Sequence, residues 1–241
     1  MAIIEITKDS FGRFAFTNEK ALKEPIKLVY VDFHGMGMHG VDRRTEIYPH
    51  EILMAEAGIL QIYTYCGPWH FMNDNAVKTV DEILDAAFEK YNLPGDFPIV
   101  SSGGSMGGYC ALMYPRLTTA HRAVAVAALC PVCDLLAIAP YIADALYSTF
   151  AHTPVGIDAE LKRHSPLLEA ENLPHVPYFI AQGDADTAVD KEKHSDKLVA
   201  KMKSLGFDVE YLEVAGADHA LYTSLPTMKS YLGFIRRFAK E

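Results

Sequence analysis

The chain has 241 residues, half of them hydrophobic and 22% charged, with a formal net charge of −9. That is ordinary globular composition, long enough to bury a large core as one α/β domain. The acidic balance disfavours nucleic acid, anionic membrane surfaces and polyanionic substrates as partners. Met1–Asp9 has no basic segment followed by an apolar core, so no secretory signal is expected there. The longest apolar run, Ala123 to Val132, is too short to span a bilayer. Four cysteines in a chain of this length do not make a disulfide scaffold, and a cytoplasmic location is the default expectation.

Two short strands are expected near Ile3–Thr7 and Arg13–Phe16, around a turn at Ser10–Gly12. Ile26–Phe33 is almost continuously apolar, as in a strand buried on both faces. A polar loop from His34 to Thr45 follows, then a helix near Pro49–Ala57 closed by Gly58, then a strand at Ile59–Tyr65. Val77, Val80, Ile83, Leu84, Ala87 and Phe88 recur at helical spacing, with Asn73 or Asp74 as the cap. Phe97–Val100 is a short strand, and a helix from Tyr109 to Tyr114 is expected to stop at Pro115. Ala123–Leu129 and Pro177–Ala181 are further buried strands. Asp190–Leu205 reads as a helix capped by Asp190 and closed by Gly206, Val209–Val214 as the last strand, and Pro226–Ala239 as a terminal helix.

Strands alternating with helices predict one α/β domain over residues 1–241, a mostly parallel twisted sheet with helices on both faces. Residues 134–175 interrupt the alternation. Their apolar residues Leu135, Leu136, Ile138, Tyr141, Ile142, Leu146, Tyr147 and Phe150 mark them as a candidate lid or pocket insertion.

Between strand and helix lies Ser101-Ser102-Gly103-Gly104-Ser105-Met106-Gly107-Gly108, which contains Gly-x-Ser-x-Gly. In such a turn one serine hydroxyl is lifted out of the sheet, and the glycines leave room for the tight backbone. Ser105 is the candidate nucleophile. A serine hydroxyl needs a base, and the base needs a group to orient it, in the chain order serine, acid, histidine for this topology. The loop Gly183-Asp184-Ala185-Asp186 offers the acid. Asp186 is the candidate, with Asp184 bracing the turn. Gly216-Ala217-Asp218-His219 follows the last strand and offers His219 as the base. His152, His164, His175 and His194 lack such placement and are expected at the surface. An oxyanion hole would take the Met106 amide and an amide from the loop His34-Gly35-Met36-Gly37, with Met36 the donor and Gly35 beside it. His34 is expected to order that loop. Trp69, in the loop Gly67–Asn73, is a candidate pocket residue, and both it and His34 are candidate substrate neighbours.

These residues resemble the α/β-hydrolases, in the branch of prolyl-oligopeptidase-like and dienelactone-hydrolase-like small esterases. The resemblance rests on His34-Gly35, the Gly103–Gly107 elbow, Gly183-x-x-Asp186-x-x-Val189, the late His219, and Ser165-Pro166 ahead of the acid's strand. It implies a serine hydrolase acting on a small-molecule carboxylic ester without metal or organic cofactor. A peptidase or amidase on short peptides is the alternative enzyme, and a non-catalytic hydrolase-fold binding protein the alternative class.

Two other motifs are weaker. Gly35-Met36-Gly37-Met38-His39-Gly40 matches a dinucleotide fingerprint, but the next strand ends Tyr63-Thr64-Tyr65-Cys66 with no acid for a ribose, and Asp42, Arg43 and Arg44 read as a polar helix start. Cys130-Pro131-Val132-Cys133 has redox spacing, yet lacks a second pair for a metal and reads as two packed thiols near the pocket.

Overall fold

The computed structural model describes residues 5–38, 46–151 and 153–239. Seven strands form one sheet: β1 (Ala15–Thr17), β2 (Leu28–Phe33), β3 (Ile59–Thr64), β4 (Ile99–Gly104), β5 (Ala123–Leu129), β6 (Tyr178–Gly183) and β7 (Val209–Val214). Their spatial order is β1-β3-β2-β4-β5-β6-β7, with β1 antiparallel to β3 and all other pairs parallel. The helices are α1 (Pro49–Glu56), α2 (Asp74–Tyr91), α3 (Met106–Leu117), α4 (Leu135–Phe150), α5 (Ile157–Arg163), α6 (Ser195–Ser204) and α7 (Leu225–Arg236). Alternation along β2 splits the core in two. Val29, Val31 and Phe33 pack with α2, α3, α4 and α6 on one face. Leu28 and Tyr30 pack with Met54 of α1 and Tyr231, Phe234 and Ile235 of α7 on the other. The chain is therefore a layered α/β fold, as its alternation of elements predicts, in the strand order that the resemblance to α/β-hydrolases implies.

Several expected elements differ. Residues 1–4 lie outside the described residues, and 5–7 are not a strand. Phe11–Arg13 is instead a single 3-10 turn whose Phe11 seals the core edge. Pro115 does not end α3. The helix runs on to Leu117, because the Ala111 carbonyl that Pro115 cannot bond accepts from Ser101 Oγ at 2.9 Å. Asn73 is the cap of α2, its side chain accepting from Ala76 N. Asp190 caps a turn rather than a helix, accepting from Glu192 N, and α6 begins only at Ser195. His194 breaks the helix there and is buried, not at the surface. Its Nδ1 accepts from both Cys133 N and Asp134 N at 3.2 Å, anchoring the start of α4. His164 is likewise buried, against Phe150. His175 is exposed and stacks on Phe207; His152 lies outside the described residues.

Residues 134–175 serve two purposes. Leu135, Leu146 and Phe150 are core, whereas Ile138, Tyr141 and Ile142 face a cavity. Asp134 caps α4 through Leu136 N and Ala137 N. Pro140 removes a helical donor, and Ile142 has non-helical angles (φ −135°, ψ 33°), so α4 bends where it meets the cavity.

The loop before α2 is held by a buried histidine. His70 Nδ1 accepts from Met72 N at 3.3 Å, across Phe71 and Met72 in left-handed conformation (φ 38° and 47°). Burial, with the His34 ring beside it, pushes the His70 pKa down to about 3. The neutral ring is the acceptor that the turn needs. An unfolded histidine titrates near pH 6.5, so the unfolded chain binds the proton first as pH falls. Stability is fully present above about pH 6.5 and is expected to fall toward pH 3, by at most about 1.4 kcal/mol per pH unit from this group. Denaturant midpoints between pH 7 and 4 will show a shallower slope in His70→Asn than in the native chain.

Candidate active site

Ser105 sits at the junction of β4 and α3 with φ 60° and ψ −123°, a strained angle for any residue but glycine. Its N–H donates to Leu129 O at 2.8 Å. The turn is possible because a Cβ on Gly107 would lie 2.0 Å from Phe33 O, and one on Gly103 2.5 Å from the Gly107 backbone. No side chain fits in either place. The elbow is thus pressed against the end of β2.

The sequence-separated candidates meet here. Ser105 Oγ–H donates to His219 Nε2 at 2.9 Å, and His219 Nδ1–H donates to Asp186 Oδ2 at 2.7 Å. Asp186 is buried and fully engaged. Its Oδ1 accepts from Ala188 N and Val189 N, both at 2.9 Å, and its Oδ2 also accepts from Gln182 Nε2 at 2.8 Å. Burial alone would raise its pKa, but the His219 contact and the two amides outweigh it and hold the carboxyl below its ordinary value. The acid and base loops are locked together. Gly183 passes so close to Ala217 O that a Cβ would stand 2.2 Å away, Ala185 N donates to Ala217 O, and Gly216 N donates to Asp184 Oδ1 at 2.6 Å. A hydroxyl, an imidazole and a carboxylate in this chain can transfer a proton from oxygen to nitrogen as the oxygen attacks a carbonyl.

Met36 and Met106 both line the cavity beside Ser105, together with Gly35. Among the described residues neither methionine amide has a hydrogen-bond partner. The first helical amide of α3 also carries the positive end of that helix. His34 is buried beneath this loop. Its ring contacts Tyr65 and His70, Nδ1–H donates to Gly35 O at 2.8 Å, and Nε2 has no partner. Burial lowers its pKa. Gly37 N bonds to Pro68 O, tying the loop to residues 66–72.

The cavity around Ser105 has a volume of about 900 Å³. It wraps the carboxyl end of the sheet. One wall comes from one face of the core: Phe71, Met106, Val132, Ile138 and Val189. The other comes from the opposite face: Tyr30, Leu129, Cys130, Leu221 and Tyr231. Trp69 is not part of it. The left-handed turn at Gly67, Phe71 and Met72 points Phe71 inward and leaves Trp69 half exposed over a separate depression of about 330 Å³ with His70, Asn73 and Thr149. Phe71 was missed in the sequence because periodicity does not reach into such a loop. Gln182 was missed too; a polar residue inside a buried strand was its only signal. Its Nε2 orients Asp186, and its Oε1 accepts from Ser195 Oγ at 2.8 Å.

Cys130 and Cys133 are both free and buried. Burial and then the Asp186 carboxylate push the Cys130 thiol up to about 12, so it is no rival nucleophile. Of the glycine pattern at 35–40, His39 and Gly40 lie outside the described residues, as do Asp42, Arg43 and Arg44. β3 ends at Thr64 without an acid.

The sequence profile of the Prolyl oligopeptidase family matches residues 70–241, which include all three members of the hydrogen-bonded chain. The chain belongs to the prolyl oligopeptidase family. Its fold is that of the α/β-hydrolases. Among solved structures it is similar to a Mycobacterium tuberculosis puromycin-hydrolyzing peptidase (18% identity, TM-score 0.66), covering 90% of this chain but 35% of that one. The acylaminoacyl peptidase of Pyrococcus horikoshii is alike (18%, TM-score 0.64; 90% and 37%). The chain thus spans little more than a third of these peptidases. An esterase of Thermogutta terrifontis, solved with propionate bound, matches at 21% identity and TM-score 0.64 over 89% of this chain and 83% of its own. No curated protein sequence matches the chain.

Gln182→Leu removes one hydrogen bond to the Asp186 carboxylate while leaving Ser105 and His219 in place. A bond to a charged group is worth about 1.5 kcal/mol or more, so kcat should fall on the order of tenfold. Steady-state kinetics should show KM nearly unchanged.

Proposed function

We propose that this chain is a serine hydrolase that cleaves small-molecule carboxylic esters through an acyl-enzyme. The carrying observation is the hydrogen-bonded chain Asp186–His219–Ser105, which opens onto a large, mostly apolar cavity. Ser105 Oγ attacks the ester carbonyl as His219 Nε2 takes its proton. Asp186 holds the imidazole tautomer and stabilises the imidazolium. The Met36 and Met106 amides receive the developing oxyanion, and His34 and Gly35 hold the first of them in place. His219 then protonates the departing alcohol. Water repeats the sequence on the acyl-enzyme and frees the acid. The protein groups present suffice for each step.

Ester rather than peptide substrates are favoured by the cavity walls. They offer aliphatic and aromatic side chains on both faces of the sheet and suit an uncharged ester with bulk on both sides of its scissile bond. The similarity to an esterase along most of its length points the same way. The family's name and the peptidases among the similar structures keep a peptidase or amidase activity as the second reading. The first half of α4 is the wall, or lid, over the acyl or alcohol group. Among the described residues no helix is long and apolar enough to cross a membrane. The four cysteines are free thiols, which suits a reducing compartment, and we place the enzyme in the cytoplasm.

A fluorophosphonate probe should label the native protein once, at Ser105 by peptide mass spectrometry, and not label Ser105→Ala. Turnover of p-nitrophenyl esters should drop by about four orders of magnitude or more in that variant, with its melting temperature retained. Near-normal ester hydrolysis by Ser105→Ala would remove the assignment. Aryl esters should be cleaved far faster than aminoacyl anilides; the opposite order would establish the peptidase reading instead.

A further inference from the structure

We propose that Cys130, Asp186 and His219 form a binding site for a thiophilic divalent cation such as Zn²⁺, and that an ion bound there stops hydrolysis. The binding half stands on geometry alone; the inhibition half rests on the ester hydrolase reading above.

Cys130 follows β5 in a left-handed conformation (φ 45°), fixed by its N–H bond to Ala181 O at 2.8 Å. That conformation turns the thiol toward the base loop, where Sγ–H donates to His219 O at 3.5 Å. One sulfur, one imidazole nitrogen and one carboxylate oxygen from Cys130, His219 and Asp186 all lie within 4.8 Å of one another. It is the only such group of three among the described residues. Zinc bonds of about 2.3 Å to sulfur and 2.0–2.2 Å to nitrogen or oxygen set tetrahedral ligand separations of about 3.3–3.7 Å. The cluster reaches them if the Cys130 side chain swings in by about 1 Å and the Asp186–His219 pair opens by about half an ångström. Cys130 and His219 both line the cavity, so an ion has a route from solvent and a cavity-side position for water as its fourth ligand. The S, N, O donor set selects zinc or cadmium over magnesium and calcium.

The Cys130 thiol proton leaves to solvent. The His219 proton moves from Nδ1, now bound to the metal, to Nε2. Nε2 then presents a proton to Ser105 rather than a lone pair, and no base remains for the hydroxyl.

The experiment has two arms. Cobalt(II) added to Ser105→Ala should give a near-ultraviolet thiolate-to-cobalt charge-transfer band that zinc displaces. The band should be absent in the Ser105→Ala, Cys130→Ala double variant. In the active protein, micromolar zinc should inhibit ester hydrolysis reversibly with EDTA, while magnesium and calcium leave the rate unchanged. Relative to each variant's own uninhibited rate, Cys130→Ala should raise the half-inhibiting zinc concentration by at least about tenfold. Cys130→Ser serves if the alanine variant does not fold, since a hydroxyl is a poor zinc ligand. Absence of the cobalt band, or equal zinc sensitivity without the thiol, overturns the proposal. If Ser105→Ala stays active, the catalytic reading falls, and the cobalt band still decides the site.

Discussion

Among the described glycines the least room for a side chain is at Gly107, where a single methyl group would stand 2.0 Å from the Phe33 carbonyl oxygen. Phe33 ends β2, and Gly107 lies in the first turn of α3. Their contact brings the loop His34-Gly35-Met36 against the start of that helix. It therefore places two unengaged amides, from Met36 and Met106, beside the same serine. The strained φ of Ser105 is sustained by the same junction, since Ser105 N is bonded to Leu129 O of β5 and cannot relax outward. The strained Ser105 backbone and the two unengaged amides have a common cause in the packing of two backbones.

A second close approach does the same for the loops that carry Asp186 and His219. Gly183 at the end of β6 lies against Ala217 O, and the loops exchange bonds through Ala185 and Asp184. Asp186 then saturates its carboxylate with two backbone amides, a buried amide side chain and the imidazole. A carboxylate so surrounded stays ionised, which is what a neutral histidine base needs when it gains a proton.

Legibility in the sequence divides along physical lines. Buried parallel strands announce themselves as apolar runs and amphipathic helices by their period, so the sheet's core, α2 and the loops carrying Ser105, Asp186 and His219 were visible. What failed depended on partners far away in sequence. Pro115 reads as a stop until Ser101 is seen to satisfy the orphaned Ala111 carbonyl. The run from Asp190 reads as one helix until His194 is found bent out to hold Cys133 and Asp134. Trp69 reads as a candidate pocket residue, yet Phe71 is the one that lines the cavity; the left-handed angles that decide this leave no period behind. Cys130 reads as a packed thiol, and it is one; its nearness to Asp186 and His219 comes only from the return of β6 beside β5 and of β7 beside β6.

The neighbouring residues His194 and Ser195 join two separate parts of the site. Ser195 Oγ holds Gln182 Oε1, and Gln182 Nε2 holds Asp186. His194 Nδ1 holds the two amides that open α4, whose next turns bear Ile138, Tyr141 and Ile142 over the cavity. The acid's support and the wall's anchor are therefore adjacent on one backbone. Beyond that anchor α4 is broken at Ile142, and Pro140 has no amide to give. The helix start is anchored beside the Asp186 support, while the segment that lines the cavity has lost helical bonds. Such a division lets the cavity wall shift at Ile142 without disturbing the distances among Ser105, His219 and Asp186.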